Sequence, residues 1–228
     1  MNIIILIIAS DNTNNYIELQ NIWRRYMNLL NPTIKAFFIK NDNLLNEDII
    51  VINDTIYIKD NETYIPGILS KTIKSMQYCL NNFEFDYIYR TNLSSVLNLY
   101  KMNDFINNNI LNYGGVIGDH NGIKFASGSG FFLSKDACVY LCQNNNLLDY
   151  TIVDDLSIGN FLNKKYNILF IDRINIDSLE DNKFTVNNSL EYNIIPINDN
   201  IFHFRCKSDC NNLITIPIMN KLINNIYK

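Results

Sequence analysis

The chain opens with an unbroken apolar run, Ile3 to Ala9, turns polar, and resumes with Tyr16, Leu19, Trp23, Tyr26, Met27 and Leu30 at helical spacing. The unbroken run predicts a buried strand, and the spacing behind it predicts a helix. Pro32 ends that helix, and "TIKAFFIK", "DIIVI" and "TIYI" predict further strands ahead of a helix in "IPGILSKTIKSMQYCL". Asp86 to Tyr89 reads as a strand that runs into the polar string "RTNLSS". Next come a helix over residues 100–111, glycine-marked strands in "GGVIG" and "SGSGFFLS", helices in "KDACVYLCQNNN" and "VDDLSIGNFLNKKY", and a strand in "NILFID". The tail carries "NIIPI" and "NIFHFRCKSD" before a last amphipathic helix, Ile218 to Tyr227. Strands alternate with helices, and polar residues gather where strands end. The expected fold is therefore α/β, with a mixed, mostly parallel central sheet flanked by helices and a site at its carboxyl edge. No Pro/Gly/Ser-rich linker divides the chain, so residues 1–228 are expected to form a single domain.

Composition narrows the partners. A formal net charge of -4 over 228 residues leaves no basic face for a phosphate backbone, so no nucleic-acid partner is expected. The abundance of Asn and Ile fits an AT-rich coding genome, viral or microbial, and runs such as Asn107 to Asn109 and Asn144 to Asn146 read as loops or helix ends. "NIIILIIAS" is too short to span a bilayer and lacks a basic flank and a cleavage site, so neither a transmembrane segment nor a signal peptide is expected. Five cysteines (Cys79, Cys138, Cys142, Cys206 and Cys210) leave one over in any disulfide scheme, as reduced thiols in a cytosol would. Cys138 and Cys142 fall one turn apart on an apolar helix and read as core, not as metal ligands. An N-glycan on the sequon Asn92-Leu93-Ser94 would block the suspected site. The expected location is the cytoplasm, that of the host if the source is a virus.

Common nucleotide signatures are missing. No Gly-x-Gly-x-x-Gly follows the first strand, and there is no Walker loop and no Gly-x-Ser-x-Gly elbow. Ser10, Asp11 and Asn12 offer short polar groups for a base or ribose, or else a cap for the helix that follows.

Four stretches, taken in order, carry a resemblance: "ETYIPGILSKT", "YIYRTNLSSVLN", "SGSGFFLS" and "VDDLSIGNFL". Together they resemble the GT-A nucleotide-sugar glycosyltransferases, closest to the fringe and β-1,3-galactosyltransferase group, over about residues 60–170. "ETYIPGILSKT" is similar to that group's Asp-Ser-Tyr-x-Asn-Leu-Thr-Leu-Lys-Thr helix, with Lys71 and Thr72 on its Lys-Thr pair. "YIYRTNLSSVLN" is similar to its Lys-Thr-Asp-Asp-Asp-x-x-x-Asn strand end, "SGSGFFLS" to its Ser-Gly-Gly-Gly-Tyr-x-Leu-Ser hairpin, and "VDDLSIGNFL" to its Glu-Asp-Val-x-x-Gly helix start. The resemblance implies a GT-A domain, a nucleotide-sugar donor and a glycan or glycoprotein acceptor.

One of the four departs from the family. Where the family's Asp-x-Asp holds Mn²⁺ on the donor diphosphate, this chain has Asn92, Leu93 and Ser94, an amide and a hydroxyl that are weak ligands for Mn²⁺ or Mg²⁺. No metal or other cofactor is therefore expected to be required; the alternative is a weak Mn²⁺ or Mg²⁺ dependence through Asp154 or Asp155, which EDTA sensitivity of turnover would reveal. The leaving diphosphate still needs its charge met, and Lys71, Arg90 and the alternate positions His203, Arg205 and Lys207 are the cationic candidates. The same alternation also fits a solvated edge strand, and His203 alone fits a packed core histidine. With Ser10, Asp11, Asn92 and Ser94 these cations make up the expected donor site. Matching to Glu-Asp-Val puts Asp155 on the general base of inverting transfer and Asp154 on the acid before it, although either fits a helix cap. Asp154, Gly128 and Ser129 form the expected acceptor side; the two hairpin glycines, Gly128 and Gly130, let backbone approach sugar or simply serve a turn. The resemblance thus implies an inverting transferase of a hexose or N-acetylhexosamine, with a UDP-sugar as the expected donor. Its competitor is a non-catalytic pseudoenzyme that binds a glycan or nucleotide-sugar, for which loss of Asp-x-Asp marks loss of turnover.

Overall fold

The computed structural model describes residues 1–27, 33–187, 190–195, 201–206 and 212–227. The chain divides into two compact units interleaved in sequence, one of Met1–Ser10, Pro32–Asn92 and Ile110–Ile171, the other of Asp11–Asn31, Leu93–Asn109 and Asp172–Lys228.

The first unit is built on β1 (Ile3–Ile8), β2 (Ile34–Asn41), β3 (Ile49–Ile52), β4 (Thr55–Ile58), β5 (Tyr87–Asn92), β7 (Tyr113–His120), β8 (Ile123–Ser134) and β9 (Ile168–Phe170). They form one eight-stranded sheet in the order β3-β4-β2-β1-β5-β8-β7-β9. The pairs β2–β4, β1–β2, β1–β5 and β7–β9 are parallel; β3–β4, β5–β8 and β7–β8 are antiparallel. β1 reads as a continuous apolar run because consecutive residues point to opposite faces and both are buried, as at Leu6 and Ile7. On one face pack α2 (Gly67–Asn82), α4 (Lys135–Gln143) and α5 (Asp154–Leu162), whose Leu69, Met76, Cys138, Leu141, Ile158 and Phe161 join Leu6, Ile39, Ile88 and Leu133 in a single core. Ser134 starts α4 as its cap, its hydroxyl accepting from the Ala137 amide at 3.1 Å. The β7–β8 hairpin turns through Asn121 and Gly122, both at positive φ, the pairing that matches the twist of the strands it joins.

The second unit holds α1 (Asn14–Met27), β6 (Ser95–Leu97), α3 (Leu99–Asn108), β10 (Ile174–Glu180), β11 (Lys183–Val186), β12 (Leu190–Tyr192), β13 (His203–Arg205) and α6 (Asn212–Ile226). Its sheet runs β12-β11-β10-β13-β6. The Trp23 indole of α1 donates to the Leu93 carbonyl at 3.0 Å, and the Tyr227 hydroxyl accepts from the Leu99 amide at 3.0 Å.

The alternating order of strands and helices is as the hydrophobic pattern predicts. Three details differ. β5 extends past the expected end at Tyr89 through Arg90, Thr91 and Asn92; Arg90 and Thr91 are buried, so these polar residues belong to the sheet. The meander β10–β11–β12 has no counterpart among the expected elements, although Asp181 and Asn182 supply its first turn at positive φ. α6 starts at Asn212, ahead of the expected Ile218, and carries Pro217 within it.

Candidate functional site

In the first unit the site grows from the meeting of β5, β8 and the start of α5. Antiparallel pairing sets Arg90 opposite Phe131 and Thr91 opposite Gly130, and the Thr91 hydroxyl donates to the Ser129 carbonyl at 2.7 Å. Arg90 is only 3% exposed. Its Nη2 meets Asp154 Oδ2 at 2.5 Å, a buried ion pair joining the strand to the first turn of α5. Neither aspartate is the N-cap residue: that position is Val153, which makes no side-chain cap bond. Asp155 instead accepts from the Gly128 amide through Oδ2 at 2.7 Å and from the Leu156 amide through Oδ1 at 2.9 Å.

Gly128 suits this crowding. A Cβ there would lie 2.7 Å from Arg90 Nη1 and 3.1 Å from Asp155 Oδ2. The sequence reading gives the missing side chain to a sugar or to a turn; the structure adds that its absence makes room for the protein's own guanidinium and carboxylate. Ser129, at 7% exposure, has its hydroxyl 3.2 Å from that of Ser127. Burial raises the Asp154 carboxyl above the ordinary carboxylate value; the Arg90 charge opposes this and the Asp155 charge adds to it.

Lys71 is not the open cation that the sequence suggests. It is fully buried on α2, where Nζ donates to Glu62 Oε1 at 2.5 Å and to the Ala9 carbonyl at 3.0 Å. Glu62 Oε2 also accepts from the Asn41 amide at 3.1 Å. The pair thus ties the carboxyl ends of β1 and β2 together. Burial lowers the Lys71 pKa, with Glu62 opposing. Ser10 and Asn92, at the ends of β1 and β5, are half-buried.

The second unit holds the rest of the expected donor set. His203 on β13 lies opposite Leu97 of β6, with Nε2 3.0 Å from the Ser95 hydroxyl. It is 1% exposed, and burial, with the Arg173 and Arg205 charges adding, pushes its pKa well below the usual imidazole value. His203 is therefore a neutral hydrogen-bonding group near neutral pH, which corrects its reading as one of three strand-face cations. Arg205 is half-buried, and Lys207 lies outside the described residues. The Ser94 carbonyl accepts from the Cys206 amide at 2.8 Å. Asp11 accepts from the Gln20 side chain at 3.1 Å, and the Thr13 hydroxyl accepts from the Tyr16 amide at the start of α1 at 3.3 Å.

The Asn92-Leu93-Ser94 stretch does not fit a divalent cation: it brings no carboxylate, and Leu93 is buried. Among the described residues no group of three or more His, Cys, Asp or Glu is arranged to hold a metal. Cys138 and Cys142 lie in the core, and Cys79, Cys138, Cys142 and Cys206 are free and buried. No described helix is long and apolar enough to cross a membrane.

Sequence reasoning missed Glu62, Thr91 and Ser95 as partners. Glu62 stands at the head of "ETYIPGILSKT", nine positions before Lys71 and outside the helix that carries it, so no helical i,i+3 or i,i+4 spacing announces the pair.

No protein-family model matches the chain, and neither does any curated protein sequence. Solved structures do. A glycosyltransferase involved in the glycosylation of the major capsid of PBCV-1 superposes with a TM-score of 0.52 at 10% identity, covering 97% of this chain and 100% of that one. The fold is of the GT-A type. An inositol-1-phosphate CTP transferase from T. maritima gives a TM-score of 0.51 at 9% identity over 100% of this chain and 98% of that one. At identities this low the superpositions show the architecture alone, and the chemistry rests on the residues.

Proposed function

We propose that the chain is a GT-A glycosyltransferase that moves a hexose or N-acetylhexosamine from a nucleotide-sugar, a UDP-sugar first, to a hydroxyl of a glycan or glycoprotein, with inversion and without a required metal. Residues 1–228 act in this reading as one domain of the fringe-like kind. The observation that carries it is the half-buried Asp155 carboxylate at the start of α5, oriented by the Gly128 amide of a glycine-bearing hairpin. Each carboxylate oxygen accepts one backbone N–H and keeps a lone pair for an incoming proton. As general base, Asp155 takes the acceptor hydroxyl's proton while that oxygen attacks the anomeric carbon and the bond to the diphosphate breaks on the opposite face. Ser10, Asp11, Asn92 and Ser94 contribute hydrogen bonds to the donor, His203 serves as a neutral partner, and Arg205 and Lys207 meet the diphosphate charge. Asp154, Gly128 and Ser129 shape the acceptor side.

A second reading is favoured by one observation: the Lys71 and Arg90 charges are already matched by Glu62 and Asp154. That leaves less positive charge for a leaving diphosphate and suits a protein that binds a nucleotide-sugar without turnover. The test is a binding and hydrolysis screen against UDP-, GDP- and dTDP-sugars, each with Mn²⁺ and with EDTA. Slow sugar release that survives EDTA is expected. Binding without release selects the second reading, and absence of binding to every donor overturns the transferase and leaves a non-catalytic glycan-binding protein.

A further inference from the structure

The start of α5 has no side-chain cap at Val153, so something else must set where its first turn sits and how it is rotated. Two consecutive carboxylates do so, each tied to a different strand. Asp154 is held by Arg90 of β5 at 2.5 Å, and Asp155 by the Gly128 amide of β8 at 2.7 Å. β5 and β8 are hydrogen-bonded neighbours, so the two anchors share one rigid base. The Arg90 guanidinium faces inward: its carbon lies 5.7 Å from the Phe131 ring centroid, Nη1 lies 2.7 Å from where a Cβ on Gly128 would stand, and Nε has no partner among the described residues. A group this enclosed is poorly placed to take up a solvent-borne diphosphate, and well placed to fix a neighbour.

We infer that Arg90 is a positioning residue: through its ion pair with Asp154 and its packing on Gly128 it fixes the first turn of α5, and so holds the Asp155 carboxylate on the Gly128 amide. The role of Asp155 in transfer rests on the function proposed above; the positioning itself does not. A planar fork held by a carboxylate on one side and a glycine on the other sets direction as well as charge, which a lysine ammonium cannot reproduce.

The test pairs Arg90→Lys, which keeps the charge and loses the fork, with Gly128→Ala, which keeps both charges and inserts a methyl between them. Amide hydrogen exchange is read at position 128 against the β1 amides of Ile5 and Ile7, and steady-state kinetics are run on the donor found in the screen. Exchange at position 128 is expected to rise about tenfold or more while the β1 amides hold. Turnover is expected to fall by about tenfold or more at an unchanged donor KM. Unchanged protection at position 128 in a folded variant overturns the inference whatever the kinetics do, and a raised donor KM with protection intact assigns Arg90 to the donor instead. Should Arg90→Lys not fold, Gly128→Ala decides alone by the same readouts. If the wild type turns over no donor, the transferase reading falls while the exchange measurement still decides the positioning.

Discussion

The charges of the first unit and the histidine of β13 in the second meet burial in opposite ways. Lys71 and Arg90 stay inside by acquiring carboxylate partners, Glu62 and Asp154, each at 2.5 Å. His203, equally enclosed, has a hydroxyl partner in Ser95 and cationic neighbours, and gives up its proton. An ammonium or guanidinium keeps its charge most readily by pairing, whereas imidazole has a neutral form close to hand. The basic residues that look alike in the sequence are therefore different objects: two internal ties and one neutral hydrogen-bonding group.

The contrast can be broken at several points. The largest expected effect is at the carboxylate left available for chemistry: Asp155→Asn should lower turnover about 10²–10⁴-fold at an unchanged donor Kd, checked by single-turnover assay and calorimetry. Near wild-type turnover sinks the base assignment. Next comes the tie between β1 and β2. Glu62→Gln leaves the Lys71 ammonium buried without its counter-charge and should cost about 3 kcal/mol in urea unfolding; a loss below about 1 kcal/mol means that water reaches the pair.

The other side of the contrast is read through pH. The His203 pKa is lower folded than unfolded, so below the ordinary imidazole value of 6.5 the unfolded chain binds the extra proton. Stability should therefore fall as pH drops through 6.5 toward the folded pKa, by up to about 1.4 kcal/mol per pH unit from this group. It should be full above 6.5. His203→Asn should remove that part of the slope in thermal melts from pH 7.5 to 5, and an unaltered slope would show that another group titrates. The smallest effect is a control. Gly122 sits at φ +82°, and a Cβ added there would meet nothing within 4 Å, so Gly122→Ala should cost only about 1 kcal/mol through backbone strain. A cost well above that would show the turn to be packed.

Much of the architecture is legible in the sequence because alternation and helical spacing reflect local burial. β1, β2, the β7–β8 hairpin and α2 stand where the apolar pattern puts them. β10 to β12 escape because Asn is so frequent that its turn signal at Asn182 and Asn187 is lost in the background. The site is legible as residue types and not as partnerships. Nothing in "YRTN" tells that Arg90 meets a carboxylate 64 positions away, nor in "HFR" that His203 meets a serine 108 positions away. Pairing across such distances is fixed by strand order, and strand order is what a one-dimensional pattern leaves out.

The four described cysteines carry a practical consequence. Alkylating reagents attack the thiolate, and burial pushes the Cys79 and Cys142 thiols up to about 12 and raises those of Cys138 and Cys206 as well. Buried and held as thiols, these sulfurs are expected to react slowly while the protein is folded. Three belong to the first unit and Cys206 to the second, so each unit carries its own latent label. A timed pulse of iodoacetamide followed by peptide mass spectrometry would record, separately for each, when the interior first opens.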